Sequence, residues 1–138
     1  MTAPMDQSST IAKMLRAGGT WAVVGCSPDP SRASHRVAAF LQRNGFRIVP
    51  VRPGVEEILG ERCFDDLRSI PADVAIDVVD VFRRAGQAGV HVDEAIERPA
   101  TGVWLQLGVI DDAAAARGRA AGLDVVMDRC PMIELPRL

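Results

Sequence analysis

From Trp21 onward the chain repeats one cycle: a short apolar run, a break at Gly, Pro, Ser or Asp, and apolar residues at helical spacing before the next run. The first run, Trp21-Ala22-Val23-Val24, enters Gly25 and predicts a strand. Past a loop of Pro, Ser and Asp, Ser34 precedes Val37, Phe40 and Leu41, which predicts a helix from His35 to Asn44 with Gly45 as its left-handed stop. Phe46-Arg47-Ile48-Val49-Pro50-Val51 predicts the second strand. Ahead of these, Ile11 to Ala17 predicts a covering helix ended by Gly18-Gly19.

Arg52-Pro53-Gly54 reads as a turn, and the weak apolar pattern from Val55 to Phe64 predicts little structure. Asp65 is a candidate cap for a short helical turn through Arg68. Val74-Ala75-Ile76-Asp77-Val78-Val79 is the most β-branched run and predicts a central strand. A helix follows from Arg83 to Arg98, weakened where Gly86 and Gly89 each cost about 1 kcal/mol relative to Ala and firmer where Val92, Ala95 and Ile96 share a face. Pro99 ends it. Gly102 to Leu107 predicts a fourth strand, Asp111-Asp112 cap an Ala-rich helix to Ala121 that Gly122 stops, and Leu123 to Met127 predicts a fifth strand. The alternation implies one α/β domain, a Rossmann-like doubly wound parallel sheet of about five strands with helices on both faces. In such a sheet ligands bind at the carboxyl edge, which puts the loop from Gly25 to Ser34 at the centre of interest.

Length and composition narrow the classes. A chain of 138 residues with 48% hydrophobic and 25% charged residues suits one soluble globular domain. Its sixteen basic residues are fifteen Arg and Lys13, scattered at a net charge of −2, so no basic run marks a nucleic-acid partner. No apolar run approaches the ~20 residues that cross a bilayer, and Met1 to Thr10 is polar and lacks a signal pattern, so a cytoplasmic location is expected with no membrane partner. Cys26, Cys63 and Cys130 form no C-x-x-C pair, which argues against a disulfide framework or a thiolate metal site.

The ligand loop excludes two familiar motifs. The phosphate loop G-x-x-x-x-G-K-[ST] is absent, and of the dinucleotide fingerprint G-x-G-x-x-G only Gly25 is present. Where an NAD site carries an acid at the end of the second strand, this chain has Arg52, which suits a ligand with a phosphate on its ribose, either NADP or coenzyme A (CoA). Arg32 adds a fixed positive charge in the loop itself.

Six runs, in order, resemble the small bacterial CoA-binding proteins, stand-alone relatives of the N-terminal domain of the succinyl-CoA synthetase α subunit. They are G-C-S-P-D-P-S-R-A-S from Gly25, V-R-P from Val51, L-G-E-R-C-F from Leu59, V-D-V-F-R from Val79, W-L-Q-L-G-V from Trp104, and A-G-L-D-V-V-M-D-R-C-P from Ala121. The resemblance implies that Gly25, Ser27, Ser31, Arg32 and Ser34, with Cys26 between them, line a phosphate loop for CoA or an acyl-CoA. It further implies that Val51 and Pro53 flank the adenosine, with Arg52 between them, and that loops after Val79 and after Gln106, with Gly108, form the other wall. The chain departs from the family at Arg52, where Asn is usual, at Cys26, where Ala is usual, and in the glycines after Arg84.

The histidine that the synthetase phosphorylates belongs to a second domain outside this sequence, so the resemblance implies a binding module without catalytic residues. An alternative is an enzyme using NADP or acyl-CoA, with Cys130 or a strand-end acid among Asp77, Asp80 and Asp128 as its acting group; Arg129 beside Cys130 would favour the thiolate. A third reading is a structural or interaction subunit. For the three acids structural capping is expected, for His35 and His91 exposure, and for Trp104 a core position. A protein partner is left open.

Overall fold

The apolar runs become strands buried on both faces, as a parallel sheet sandwiched between helices requires. The structure, a computed structural model, describes residues 6–138. The leader reading of Met1 to Thr10 therefore falls partly outside the described residues. Strands β1 (Thr20–Val24), β2 (Arg47–Val51), β5 (Val78–Val81), β6 (Gly102–Leu105) and β7 (Asp124–Val126) form an all-parallel sheet in the order β2-β1-β5-β6-β7. Strands β3 (Glu57–Ile58) and β4 (Glu61–Arg62) pair as a separate antiparallel hairpin. The chain is thus a Rossmann-like α/β domain with the expected five-stranded parallel sheet.

Alternation along the strands separates two cores. Trp21, Val23, Val78, Trp104 and Val126 pack with α1 (Ser8–Ala17), α2 (Ala33–Arg43) and Leu135, just past the short α5 (Pro131–Glu134). Ala22, Val24, Val79, Val81, Val103 and Leu105 pack with α3 (Ala85–Glu97) and α4 (Asp112–Ala120). On the first side Trp21 meets Phe46 edge-on and Trp104 at a tilt, each at 5.5 Å between ring centroids. Trp104 is a core residue, as expected.

Several boundaries moved for identifiable reasons. The central strand is Val78–Val81, because the Val74 N–H turns back to the Pro71 carbonyl (3.0 Å) and pairing with β1 starts only when the Asp77 N–H reaches the Thr20 carbonyl (2.9 Å). Its carboxyl end therefore lies two residues later, at Val81. The segment from Val55 to Phe64, expected to be irregular, holds the β3–β4 hairpin, whose turn residues Leu59 and Gly60 have φ of 54° and 76°. A leucine in that left-handed position concealed a turn that Asn or Asp would have announced. Asp66, and not Asp65, caps the helical turn Leu67–Ser69 by accepting from the Ser69 N–H (2.8 Å). Helix α2 begins at Ala33, which puts Ser34 inside its first turn, and α5 was not anticipated.

The connection between β2 and β5 passes over a segment with little regular structure, and one side chain holds it. The Arg98 guanidinium donates to the carbonyls of Leu67 (3.1 Å), Ile70 (2.9 Å), Pro71 (2.7 Å) and Val74 (2.7 Å). Hydrogen bonds to a charged donor contribute about 1.5–3 kcal/mol each when one partner alone is removed, and solvent reaching the freed carbonyls offsets part of that. Arg98→Ala is expected to lower the stability measured by urea unfolding by about 2–3 kcal/mol; a loss below about 0.5 kcal/mol would show that the segment holds its shape unaided.

Candidate functional site

Between β1 and β5 the strand order reverses, so the chain leaves β1 toward α2 on one face and β5 toward α3 on the other. A gap opens at the carboxyl ends of such a pair, where open α/β sheets hold their ligands. Its floor is Gly25, at φ 81°, where a Cβ would stand 2.5 Å from the Phe82 carbonyl oxygen. Only glycine allows that approach. The gap widens into a cleft of about 840 Å³, walled by Gly25, Ser27, Arg32, Ala33 and Ser34, by Val51, Arg52 and Pro53, by Asp65, Asp66 and Leu67, and by Phe82, Arg83, Arg84, Gln87, His91 and Glu94.

Two helices start at this cleft in the same unusual way. The N-cap residues of α2 and α3 are Arg32 and Arg84, neither helix has a side-chain cap, and neither has an acid in its first turn. The N–H groups of Ala33, Ser34, Ala85 and Gly86 find no acceptor among the described residues. An arginine at a helix N-terminus sets positive charge against the positive end of the dipole, an arrangement that an incoming anion converts from adverse to favourable. Helix α4, away from the cleft, is built the ordinary way: Asp111 caps it through the Ala114 N–H (3.0 Å) and Asp112 sits in its first turn.

The loop between β1 and α2 is held rigid by its own polar groups. Ser34 Oγ accepts from the Ser27 N–H (2.9 Å), tying the loop to the first turn of α2, and Ser27 Oγ accepts from the Asp29 N–H (3.1 Å). Arg52 donates a long bond to the Gly25 carbonyl (3.4 Å), which brings the end of β2 against the same loop. The Arg32 guanidinium has no partner among the described residues and stands exposed at the cleft.

The structure gathers Gly25, Ser27, Arg32, Ser34, Val51, Arg52 and Pro53 around the cleft, and puts the other expected residues elsewhere. Ser31 is exposed and bound to Asp29. Cys26 turns beneath the loop into the core, where burial, helped by Cys63 and Asp80, pushes its thiol up to about 12. Val79 is buried in mid-strand, and Phe82, Arg83 and Arg84 take the wall assigned to the loop after it. Gln106 is buried against Asp80, and Gly108 donates its N–H to Asp128 (2.8 Å) in a turn outside the lining.

The sequence reading missed the α3 wall. His91, expected to be exposed, is half-buried, with Nδ1 2.6 Å from Glu94 Oε1. The signal was present: Arg84, Gln87, His91 and Glu94 recur at helical spacing on one polar face.

Of the three strand-end acids, two are caps as expected: Asp77 accepts from the Thr20 N–H (2.8 Å) and Asp128 from Gly108. Asp80 is not. It lies fully buried between Val23 and Trp104 in the sheet, its Oδ1 accepts from the Gln106 amide, and Oδ2 has no partner among the described residues. Burial pushes its carboxyl up to about 8, against the smaller pull of Gln106. Burial also raises the Cys130 thiol, and Arg129, expected to favour the thiolate, donates instead to the Asp128 carbonyl (2.8 Å). Neither group is set up as a nucleophile at neutral pH.

The CoA binding domain family matches residues 19–136 of the chain. The protein YneT of Bacillus subtilis (strain 168) is 37% identical over 120 residues, 87% of each chain. A hypothetical protein from Pyrococcus horikoshii OT3 superposes with a TM-score of 0.89 at 34% identity, covering 100% of this chain and 97% of that one. At the level of fold alone, an acetyl-coenzyme A synthetase of Ca. Korarchaeum cryptofilum, solved with phosphate and ADP, aligns at a TM-score of 0.66 and 19% identity, over 77% of this chain and 25% of the synthetase.

The state of Asp80 has a consequence for stability. A carboxyl whose folded value is raised to about 8 from its ordinary value keeps its proton in the folded state while the unfolded chain has lost it. Asp80 therefore contributes full stability at acidic pH, below the ordinary carboxylate range, and that contribution declines as pH rises toward about 8. Asp80→Asn is expected to flatten the decline between about pH 5 and 8 in urea midpoints. An unchanged slope would mean that Asp80 ionises within the fold without cost.

Proposed function

This chain belongs to the CoA binding domain family, and on that premise we propose that it holds coenzyme A or an acyl-CoA in the cleft at the β1–β5 switch point, as a binding module without chemistry of its own. The observation that carries the reading is the pair of helix N-termini capped by Arg32 and Arg84. A pyrophosphate set between them would accept from the free N–H groups of α2 and α3 and neutralise both guanidinium charges. Val51 and Pro53 offer an apolar edge to the adenosine. Arg52, at the end of β2, would reach the phosphate on its ribose, the feature that sets CoA apart from NAD.

The absence of a poised nucleophile supports a carrier or sensor more than an enzyme. Cys26 and Cys130 are held as thiols by burial, and Asp80 is enclosed where substrate has no access. The partner so proposed is a small molecule; nothing in the reading calls on nucleic acid or a membrane, and no described helix is long and apolar enough to cross one. A cytoplasmic location accords with three free cysteines.

A thermal-shift and calorimetric panel of CoA, dephospho-CoA, NADP and NAD tests the proposal, since a ligand of the folded state alone raises its melting temperature. CoA is expected to give the largest shift with a Kd near micromolar, about −8 kcal/mol, dephospho-CoA a smaller one, and NAD none. Arg32→Ala should weaken CoA by about 1.5–3 kcal/mol, the range for hydrogen bonds to charged groups, with the unliganded stability unchanged. Equal shifts with CoA and NAD would remove the proposal, and a shift with NADP alone would replace it with the enzyme reading.

A further inference from the structure

The cleft is not uniformly basic. Arg32, Arg83 and Arg84 stand where α2 and α3 begin and Arg52 at the end of β2, whereas His91 and Glu94 line it further along α3. At 1.5 Å per residue Glu94 is roughly 15 Å along the helix from Arg84. Its side chain is 15% exposed and that of His91 16%, so the pair is set into the wall. The neighbouring acids are already engaged: Asp65 accepts from the Gly54 N–H (3.1 Å), Asp66 from Ser69, and Glu97 pairs with Arg68 (3.1 Å). Glu94 uses Oε1 for His91, and no donor among the described residues meets Oε2.

A carboxylate at one end of a cleft that draws anions to its other end is adverse to any ligand that is negative throughout. It favours one that brings a hydrogen-bond donor to that end. We propose that Glu94, positioned by His91, reads the exocyclic amine of a purine base and makes the cleft selective for a 6-aminopurine over a 6-oxopurine. This rests on the reading of coenzyme A as the ligand. The amine of adenine donates to Oε2, whereas the carbonyl of hypoxanthine or guanine at the same position would face it acceptor to acceptor. A site built to accept from an N–H rejects the analogue that lacks it far more strongly than an apolar pocket does. His91 touches no ligand in this account: its Nδ1–H holds Oε1, fixing the rotamer that presents Oε2. It is a positioning residue.

Calorimetry with CoA and with the analogue carrying hypoxanthine in place of adenine tests this on the unmodified protein. CoA is expected to bind at least about tenfold more tightly. Glu94→Gln, whose amide can turn a donor toward the carbonyl, should bring the two ligands within about threefold of each other. His91→Ala should reduce the ratio and His91→Asn, which keeps a donor, should restore most of it. Equal affinities in the unmodified protein would overturn the base reading while leaving CoA binding intact. A ratio unchanged by Glu94→Gln would overturn the assignment to Glu94. If neither ligand bound, the coenzyme reading itself would fail, and this inference with it.

Discussion

The approach of Gly25 to the Phe82 carbonyl is the constraint on which the rest depends. With 2.5 Å between that oxygen and where a Cβ would be, the ends of β1 and β5 close to a distance that any side chain at position 25 would prevent. Because the two strands are neighbours and send their helices to opposite faces, this contact brings together the chain ends that lead into α2 and α3. Two dipoles then point into one gap. Each helix carries an arginine at its N-cap, where Ser, Asp or Asn is usual, and leaves first-turn N–H groups without acceptors among the described residues. At α4, by contrast, the Asp111 side chain caps the helix by accepting from the Ala114 N–H.

The sheet carries an acid of its own, on the face that α1 and α2 cover. Asp80 is an acid where the pattern calls for an apolar residue: its register neighbours are Val23 and Trp104, and both are fully buried. Carried as a neutral carboxyl beside the Gln106 amide, it avoids the expense of a buried charge, which the low dielectric of the interior would make large. The same burial quiets the thiols of Cys26 and Cys130. The chain thus keeps Cys26 and Asp80 covered and exposes Arg32, Arg83 and Arg84 at the cleft, which suits the anionic ligand proposed for it.

Much of this was legible in the chain. Consecutive apolar residues such as Trp21 to Val24 suit a strand buried on both faces, as in a parallel sheet covered by helices, and Asp111-Asp112 announces a helix start by the charge it places there. The loop from Gly25 to Ser34 was legible through its Gly, Ser and Arg content. What was not legible depends on tertiary contact. The start of β5 is set by which N–H first reaches β1, and no local propensity at Val74 encodes that. Leu59 occupies a left-handed conformation that its side chain does not favour, so the hairpin had no turn signature. The wall of Arg83, Arg84, Gln87, His91 and Glu94 is an ordinary polar helix face until the sheet order sets it against the β1 loop.

In the proposed function two helix N-termini hold one anion. Backbone amide resonances report it directly, because an N–H that gains a phosphate acceptor shifts strongly downfield. In a titration of the isotope-labelled protein with CoA followed by ¹⁵N–¹H correlation spectra, the amides of Ala33, Ser34, Ala85 and Gly86 should show the largest downfield shifts and saturate together at one ligand per chain. Saturating perturbations confined to residues outside these two turns, with those four amides unmoved, would contradict it.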